Sequence, residues 1–408
     1  MHPYFLFPQP VIQIIEELCL KESGQKTKKE FIHKISPEIS KLSEIFNQRS
    51  HSHVLGSTLH SSHYPLAYIA YFLPSNFFKV SYLLLDFFQV TEALNFNSWK
   101  GNDQNPQPIR VLDLGSGPGT NVLSFLDFCG RFPIPFFENQ KIDFLAVDQD
   151  SRQLGYSTAL FSRYREILEP ILISRNISFE YKVVQKKINL KRLDFKGNFD
   201  FIFMGNLLNE MKQNGHSSEA LADWVQTLIA QLAPRGLIFI IEPALRKTSR
   251  DLLSLRNLIS DKRTASVIAP CLHQGPCPIM TPEGSEKDWC HQEKEWEAPD
   301  WIHQIDGQIG NRKDSLKYSY LILTSPDCQP VHPAILWRAV SEVLSTKGKN
   351  ELFLCNESGR RRFYLLNKEK SSTNQSFLEI KRGELVEIKA ENPLNGTRVF
   401  PDWKIRSR

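Results

Sequence analysis

The sequence predicts a doubly wound α/β domain with a mainly parallel sheet, because strand and helix patterns alternate along its middle part. The apolar runs IRVLDLG and IDFLAVD are each followed by a helical pattern, TNVLSFLDFCG and SRQLGYSTALFSRYREIL. ISFEYKVV, FDFIFMGNLL and GLIFIIEPA supply further strands, with the helical SEALADWVQTLIAQLAP between the last two. Short strands joined by crossover helices indicate a parallel sheet with helices on both faces.

The part before this domain has helical patterns. Apolar residues recur at three- and four-residue spacing in PVIQIIEELCL and KKEFIHKISPEISKLSEIF, and AYIAYFLPSNFFKVSYLLLDFF is rich in aromatic residues. The stretch NSWKGNDQNPQP is polar and rich in turn formers, which is typical of a linker. We therefore expect a helical N-terminal cap at residues 1–105 and the α/β domain at residues 106–325.

Strand patterns return toward the C-terminus. RTASVIAPC and KYSYLILT are predicted strands that bracket a cysteine-bearing insertion at about residues 270–316. NELFLCNESGRRRFYLLNK predicts a hairpin that turns at Glu357, Ser358 and Gly359, and SFLEIKRGELVEIKA predicts a second one. Residues 326–408 are thus expected to form a small basic β unit.

The composition is that of a globular protein, with 41% hydrophobic and 23% charged residues among 408. No apolar run approaches the length of about 18 residues that a membrane helix needs, and the N-terminus lacks the basic region of a signal peptide. We expect a cytoplasmic protein of bacterial type without a membrane partner. An odd number of cysteines, seven, and no export signal favour reduced thiols over disulfides.

The positive charge is concentrated at the C-terminal end. Residues 345–408 hold 14 Lys and Arg against 8 Asp and Glu, a local charge of +6, whereas the whole chain has +5. The rest of the chain therefore carries a net charge of −1. A basic end suits a nucleic-acid partner, and a merely solvated surface explains it equally well.

A glycine-rich loop follows the first predicted strand. VLDLGSGPGT places Asp113, Gly115, Gly117 and Gly119 between that strand and a helix. Glycines let the backbone turn sharply and approach a ligand, and the helix N-terminus offers unpaired N–H groups. A dinucleotide-binding loop has the spacing G-x-G-x-x-G, but here the spacing is G-x-G-x-G after an acid. A plain tight turn is the alternative interpretation.

This arrangement resembles the first motif of the class I S-adenosylmethionine-dependent methyltransferases. The resemblance implies that the loop wraps the amino-acid end of S-adenosylmethionine and that Asp113 meets the ammonium group of this cofactor. It also implies that Asp148, which ends the second strand in FLAVDQD, accepts hydrogen bonds from both ribose hydroxyls. A carboxylate can accept two such bonds, although Asp148 could instead cap the helix that starts in DQDSRQL.

No catalytic side chain is assigned from the sequence. The fourth predicted strand ends near Asn206 and Asn209, at the sheet edge where ligands of such folds lie, and both could equally be helix caps. An Asp/Asn-Pro-Pro-Tyr/Phe motif is missing there, which weakens an assignment as an amine methylase.

Four cysteines are candidate metal ligands. Cys271, Cys277 and Cys290 have the spacing C-x5-C-x12-C, and Cys355 lies in the first predicted C-terminal hairpin. Structural zinc usually takes a closer cysteine pair, whereas iron–sulfur clusters accept irregular spacings and Cys-Pro sequences. Spacing alone leaves an iron–sulfur cluster, zinc and no metal open. Cys19 and Cys129 lie on helical patterns and are expected to be buried apolar residues.

The segment APCLHQGPCPIMTPEGSEKDWCH carries a more specific resemblance. Together with the glycine loop it is similar to the methyltransferase-like family associated with the small subunit of mitochondrial ribosomes, which also has bacterial members. The resemblance covers most of the chain. It implies a 4Fe-4S cluster on Cys271, Cys277, Cys290 and Cys355, where FLCNESG fits the family pattern better than Cys328 does. The gap between Cys277 and Cys290 is longer here than in that pattern.

The resemblance implies an S-adenosylmethionine-dependent methyltransferase that acts on or assembles the small ribosomal subunit, with ribosomal RNA as a partner. The alternative is a catalytically inactive RNA-binding assembly factor that keeps the cofactor fold and metal site for structure. A redox protein is disfavoured, because four cysteines would close the coordination of the cluster. We further hypothesise that the cluster holds Arg360, Arg361 and Arg362 toward phosphates.

Overall fold

The computed structural model describes residues 6–46, 64–93, 107–190, 195, 197–282, 284–328, 330, 333, 335–388, 396–399 and 405–407. All but the last two residues of the predicted linker, residues 97–108, lie outside this described part.

Helices form the N-terminal part, as its apolar periodicity predicts. They are α1 (Gln9–Ser23), α2 (Lys28–Phe46), α3 (Tyr64–Ala67) and α4 (Leu73–Ala93), with a π-helical turn at Tyr68–Phe72. Helix α1 ends at Gly24, whose φ of 68° allows the left-handed turn that stops a helix. Helices α3 and α4 are continuous through the π-helical turn, and almost all of their apolar side chains are buried.

The central sheet confirms the predicted α/β class. Its strands are β1 (Ile109–Leu114), β2 (Lys141–Asp148), β3 (Ser178–Gln185), β4 (Phe199–Gly205), β5 (Leu232–Pro243), β6 (Ser266–Ala269), β7 (Gln292–Glu295) and β8 (Ser315–Thr324). The order is β3-β2-β1-β4-β5-β8-β6, with β7 also on β8, and the first five strands are parallel. The crossover helices are α5 (Thr120–Arg131), α6 (Ser151–Ser174), α7 (Leu207–Gln213), α8 (Ser218–Ile229) and α9 (Arg246–Lys262).

The cysteine-bearing segment lies between strands β6 and β8. Strand β8 runs antiparallel to both β5 and β6, and a long connection joins β6 to β8. This connection contains the cysteine loop, strand β7 and helix α10 (Asp300–Ile309).

A second sheet forms the C-terminal part. Its strands are β9 (Leu336–Ala339), β10 (Leu344–Thr346), β11 (Lys349–Asn356), β12 (Gly359–Leu366), β13 (Leu385–Ile388), β14 (Thr397–Arg398) and β15 (Ile405–Ser407). The hairpin predicted around Ser358 is present as β11–β12, with Asn356 opposite Gly359. The second predicted hairpin is wrong. Its first half is a 3-10 helix, Gln375–Glu379, which buries Phe377, and its second half is β13, which pairs with β9 and β15.

The N-terminal helices share one hydrophobic core with a face of the central sheet. This core includes residues of α1, α2, α4, α5 and β1, whereas the C-terminal sheet has its own core around Trp337 and Phe363. Helix α4 is also joined to the sheet domain by polar contacts, since Ser81 Oγ lies 3.2 Å from Ser124 Oγ of α5. Helix α4 is thereby placed next to the start of α5. Among the described helices none is both long and apolar enough to cross a membrane.

Candidate functional site

The glycine loop turns sharply between β1 and α5. Gly117 and Gly119 have φ values of 52° and 85°, a region that favours glycine. A Cβ atom on Gly119 would lie 2.1 Å from Ser157 Oγ, so helix α6 packs directly against the loop. A Cβ atom on Gly117 would meet no heavy atom within 4 Å. The space over Gly117 is therefore open.

A cavity of about 780 Å³ lies at this edge of the sheet. Gly115 and Gly117 line it from the loop, Asp148 lines it from the end of β2, and Tyr64 and Tyr68 line it from the N-terminal helices. In doubly wound folds, ligands bind at the carboxyl ends of the parallel strands. The cavity has the position and the size of a small-molecule site.

Asp113 is completely buried behind the loop. Its Oδ1 accepts a hydrogen bond of 2.8 Å from Asn121 Nδ2, and burial raises the pKa of the carboxyl to about 7. Within the described part of the chain, Asp113 Oδ2, Ser116 Oγ and Thr120 Oγ1 have no hydrogen-bond partner. Buried polar atoms without partners are costly, so these atoms suit hydrogen bonds with a polar ligand.

Asp148 supports the loop. Its Oδ2 accepts a 2.8 Å bond from the Gly117 N–H, and its Oδ1 accepts a 2.9 Å bond from the Asp150 N–H. Burial raises the pKa of this carboxyl, which lies at the cavity wall. Each oxygen still has a lone pair for a ligand hydroxyl. The alternative interpretation of Asp148 as a helix cap is wrong, since Asp150 caps α6 by accepting from the Arg152 and Gln153 N–H groups.

Glu242 is a further buried acid that the sequence analysis missed. It is 1% exposed, and burial raises its pKa to about 8. Its carboxylate accepts bonds of 2.9 and 3.3 Å from the Leu208 and Asn209 N–H groups and so caps α7 from the end of β5. Asn206, the N-terminal cap residue, makes no side-chain cap bond. The sequence does contain a pattern that indicates Glu242, because this residue follows the apolar run of a strand just as Asp148 does.

Lys79 of α4 is the second group that was missed. It is 7% exposed and lines a small cavity of about 20 Å³, which shares Gly115, Gly205 and Tyr68 with the large one. Its Nζ donates a 2.6 Å hydrogen bond to Asn76 Oδ1. Burial lowers the pKa of this amine to about 7. Nothing in the strand pattern indicates it, because α4 reaches the site only through tertiary packing.

The four candidate cysteines line one cavity of about 30 Å³. Cys271 and Cys277 come from the loop after β6, Cys290 precedes β7, and Cys355 lies near the end of β11. Burial, and then the thiols of Cys271, Cys277 and Cys290, raise the pKa of Cys355. Tertiary structure therefore brings Cys355 next to the other three.

The remaining cysteines lie elsewhere. Cys328 is not among the residues that line this cavity, and Cys19 and Cys129 are fully buried, as expected.

The walls of the cysteine cavity are basic and hydrogen-bonded. Arg338 lines it and donates a 3.1 Å bond from Nε to the Pro270 carbonyl. His273, which is 5% exposed, lies with Nε2 3.9 Å from Cys355 Sγ, and its carbonyl accepts a 2.7 Å bond from Arg256. His273 therefore lies in the wall of the cavity beside Cys355 and not at the protein surface.

No carboxylate is found among the described residues that line the cysteine cavity. Nor do the described residues contain a group of three or more His, Cys, Asp or Glu side chains placed to hold a metal ion. This geometry therefore gives direct support neither to zinc nor to an iron–sulfur cluster.

Two of the three arginines that follow Cys355, Arg360 and Arg362, form ion pairs. Arg360 lies 2.9 Å from Asp288 and over the ring of Phe353, with 4.3 Å from its Cζ to the ring centroid. Arg362 lies 3.4 Å from Glu351. Two of the three arginines that we expect to face phosphates thus have acidic partners in this structure, and their role toward phosphates stays a prediction.

Solved structures similar to this chain include several methyltransferases. The TehB-like SAM-dependent methyltransferase from Corynebacterium glutamicum is 13% identical, with 55% of this chain and 83% of that chain covered and a TM-score of 0.27. A SAM-dependent methyltransferase from Methanosarcina mazei is 14% identical, with 55% and 95% covered and a TM-score of 0.25. The plantazolicin methyltransferase BamL, in complex with SAH and a substrate analogue, is 13% identical, with 73% and 99% covered and a TM-score of 0.31. Likeness at this level says nothing about what this chain binds.

No curated protein matches the sequence significantly. A family model does match it, over residues 65–384, which include the glycine loop, both sheets up to the start of β13 and all four candidate cysteines. The chain therefore belongs to the family described as mitochondrial small ribosomal subunit Rsm22.

Proposed function

We propose that the protein binds S-adenosylmethionine in the cavity over Gly117 and transfers its methyl group to a component of the small ribosomal subunit. The observation that carries the donor site is Asp113 Oδ2, a buried carboxylate oxygen without a partner behind an open glycine loop. The family supplies the link to the small ribosomal subunit.

The chemistry of the pocket suits this donor. Asp113 would meet the ammonium group of the cofactor, and the free lone pairs of Asp148 would accept bonds from the ribose hydroxyls. Ser116 and Thr120 supply two hydroxyls without partners in the described structure at the start of α5. Methyl transfer depends mainly on alignment of the acceptor with the donor, so few obligatory catalytic side chains are needed.

Calorimetric titration with S-adenosylmethionine tests the donor site. Asp113→Asn keeps the shape of the side chain and removes its charge, and we expect about 10- to 100-fold weaker binding, the usual loss for a charged hydrogen bond. Asp143→Asn on β2 is the matched control, because Asp143 lies 3.1 Å from Lys141 near the start of β2, away from the edge of the sheet that carries the glycine loop. Equal affinities of both variants and the wild type would contradict the assignment of Asp113.

Transfer is tested separately with methyl-labelled donor and immature small ribosomal subunits. Label in ribosomal RNA or in a ribosomal protein identifies the acceptor. Binding of both donor and subunit without any transfer would favour the alternative function, a catalytically inactive assembly factor that keeps the cofactor fold.

We also propose that Cys271, Cys277, Cys290 and Cys355 hold a 4Fe-4S cluster. The support is the donor set, four cysteines around one cavity whose described walls carry arginines and no carboxylate. Four irons keep their thiolates farther apart than one metal ion does, and positive walls offset the thiolate charge. Such a cluster would tie the cysteine loop to the C-terminal sheet and stabilise their contact.

Iron and sulfide content after anaerobic purification tests the cluster. Cys355→Ser is expected to lose most of the iron, and Cys328→Ser, a cysteine outside the cavity, is expected to keep it. Equal iron content in the two variants, or iron absent from the wild type, would count against the cluster.

We assign the contact with ribosomal RNA to the basic C-terminal part. Its support is the local charge of +6 in residues 345–408. Binding driven by phosphate contacts weakens steeply as salt rises. Co-sedimentation with small subunits at increasing salt concentration should therefore show a steep loss, and salt-independent binding would argue against RNA contact.

A further inference from the structure

The large cavity continues into a smaller one, and this continuation has a distinct chemistry. The small cavity is lined by the start of the glycine loop and α5, through Ser116, Thr120 and Asn121, and by Lys79 of α4 on the other side. Asn121 in turn holds the buried Asp113 at 2.8 Å. Lys79 thus lines the small cavity directly, and the buried carboxylate of Asp113 lies one hydrogen bond behind its wall, on Asn121.

Lys79 has no carboxylate partner in the described part of the chain. The nearest assigned contacts of its Nζ are Asn76 Oδ1 at 2.6 Å and the ring of Tyr318, whose centroid lies 5.8 Å away. Glu242 lies near enough to affect the amine electrostatically, but its two oxygens accept the Leu208 and Asn209 N–H groups and form no ion pair with it. A buried amine without a counter-ion is costly, and a bound carboxylate would relieve this cost.

We propose that Lys79 binds the carboxylate of the amino-acid end of S-adenosylmethionine, opposite Asp113, which binds the ammonium. The inference rests on the proposed donor site and deepens it, because it assigns the group that recognises the zwitterionic end of the donor. The helix that carries Lys79 is docked beside α5 through Ser81 and Ser124, 3.2 Å apart, so its position relative to the loop is defined.

This assignment makes the pocket selective. Ligands with both charges, such as S-adenosylhomocysteine, use Asp113 and Lys79 together. A ligand that lacks the amino-acid end, such as 5′-methylthioadenosine, uses neither and depends on the nucleoside contacts alone. Loss of Lys79 must therefore affect the first ligand and spare the second.

The experiment is a titration of the whole protein with S-adenosylhomocysteine and with 5′-methylthioadenosine. Lys79→Met removes the amine but keeps an apolar side chain of similar length, so the fold is expected to persist. We expect roughly 10- to 100-fold weaker binding of S-adenosylhomocysteine and unchanged binding of 5′-methylthioadenosine, which also reports an intact pocket. Lys294→Met is the control, because this half-buried lysine packs over Tyr82 and lines neither cavity.

Two results would overturn the proposal while leaving the donor site standing. One is unchanged affinity of Lys79→Met for S-adenosylhomocysteine, and the other is an equal loss for both ligands. If the wild type binds neither ligand, the donor site itself is wrong, and the role of Lys79 is wrong with it.

Discussion

The buried carboxyl of Asp113 makes the stability of the ligand-free protein depend on pH in a direction that can be worked out. Burial raises its pKa from 3.8 to about 7. Between these values the folded state binds more protons than the unfolded state, so the free energy of unfolding falls as the pH rises. The free-energy cost of ionising the buried Asp113 carboxyl is absent below its pKa in the unfolded state and fully present above about pH 7. The difference in pKa corresponds to a cost on the order of 4 kcal/mol.

Asp113→Asn removes this cost, because an amide cannot ionise and its oxygen still accepts from Asn121. The variant is expected to match the wild type near pH 4 and to exceed its free energy of unfolding by up to about 4 kcal/mol at pH 8. The assay is urea denaturation at a series of pH values, without ligand. A difference between the two proteins that stays constant from pH 5 to pH 8 would refute the reasoning.

Asp150→Asn is a control variant for which we expect the opposite dependence of stability on pH. Although partial burial opposes it, the pKa of Asp150 is lowered by hydrogen bonds from the Arg152 side chain and the backbone N–H groups of Arg152 and Gln153. A lowered pKa means that the carboxylate stabilises the fold above the unfolded pKa and loses this effect as the pH falls. The asparagine variant should therefore be the less stable protein at pH 7 and approach the wild type in acid.

Two further predictions concern packing and charge. Gly119→Ala should lower the free energy of unfolding by roughly 2 to 4 kcal/mol, because alanine disfavours the left-handed backbone and its Cβ would overlap with Ser157. Gly117→Ala should lower it by only about 1 to 2 kcal/mol, because the backbone is strained but the space around the Cβ is open. Equal losses of the two variants in thermal denaturation would contradict the described packing. Arg338→Met should cost about 3 to 5 kcal/mol, because it leaves the carboxylate of Asp86, 2.5 Å away, buried without its partner. The double variant Arg338→Met/Asp86→Leu should recover only part of this loss, because Tyr320 then loses its acceptor and the Pro270 and Gly383 carbonyls lose their donor. A double variant less stable than the single one would contradict the unpaired carboxylate as the cause of the loss.

The α/β sheet could be predicted because its signals are local. Strands β1, β2, β4 and β5 contain apolar runs, and β3 has apolar residues at alternate positions. Each strand is followed by a turn or helix pattern within the same stretch of sequence. The glycine loop and Asp148 could be found for the same reason, since both lie at strand ends. The second C-terminal hairpin was wrong because burial of Phe377 and pairing of β13 with β9 and β15 outweigh the local strand pattern.

By itself, the sequence determined the fold class and the position of the glycine loop, because backbone turns and side-chain periodicity depend on neighbouring residues. Tertiary structure decided which distant groups meet. It placed Lys79 of an N-terminal helix beside the loop after β1, and it brought Cys355 to three cysteines more than sixty residues earlier. The reason is physical: such contacts depend on how whole helices and sheets bury their apolar faces against one another, and no local pattern in the chain specifies that packing.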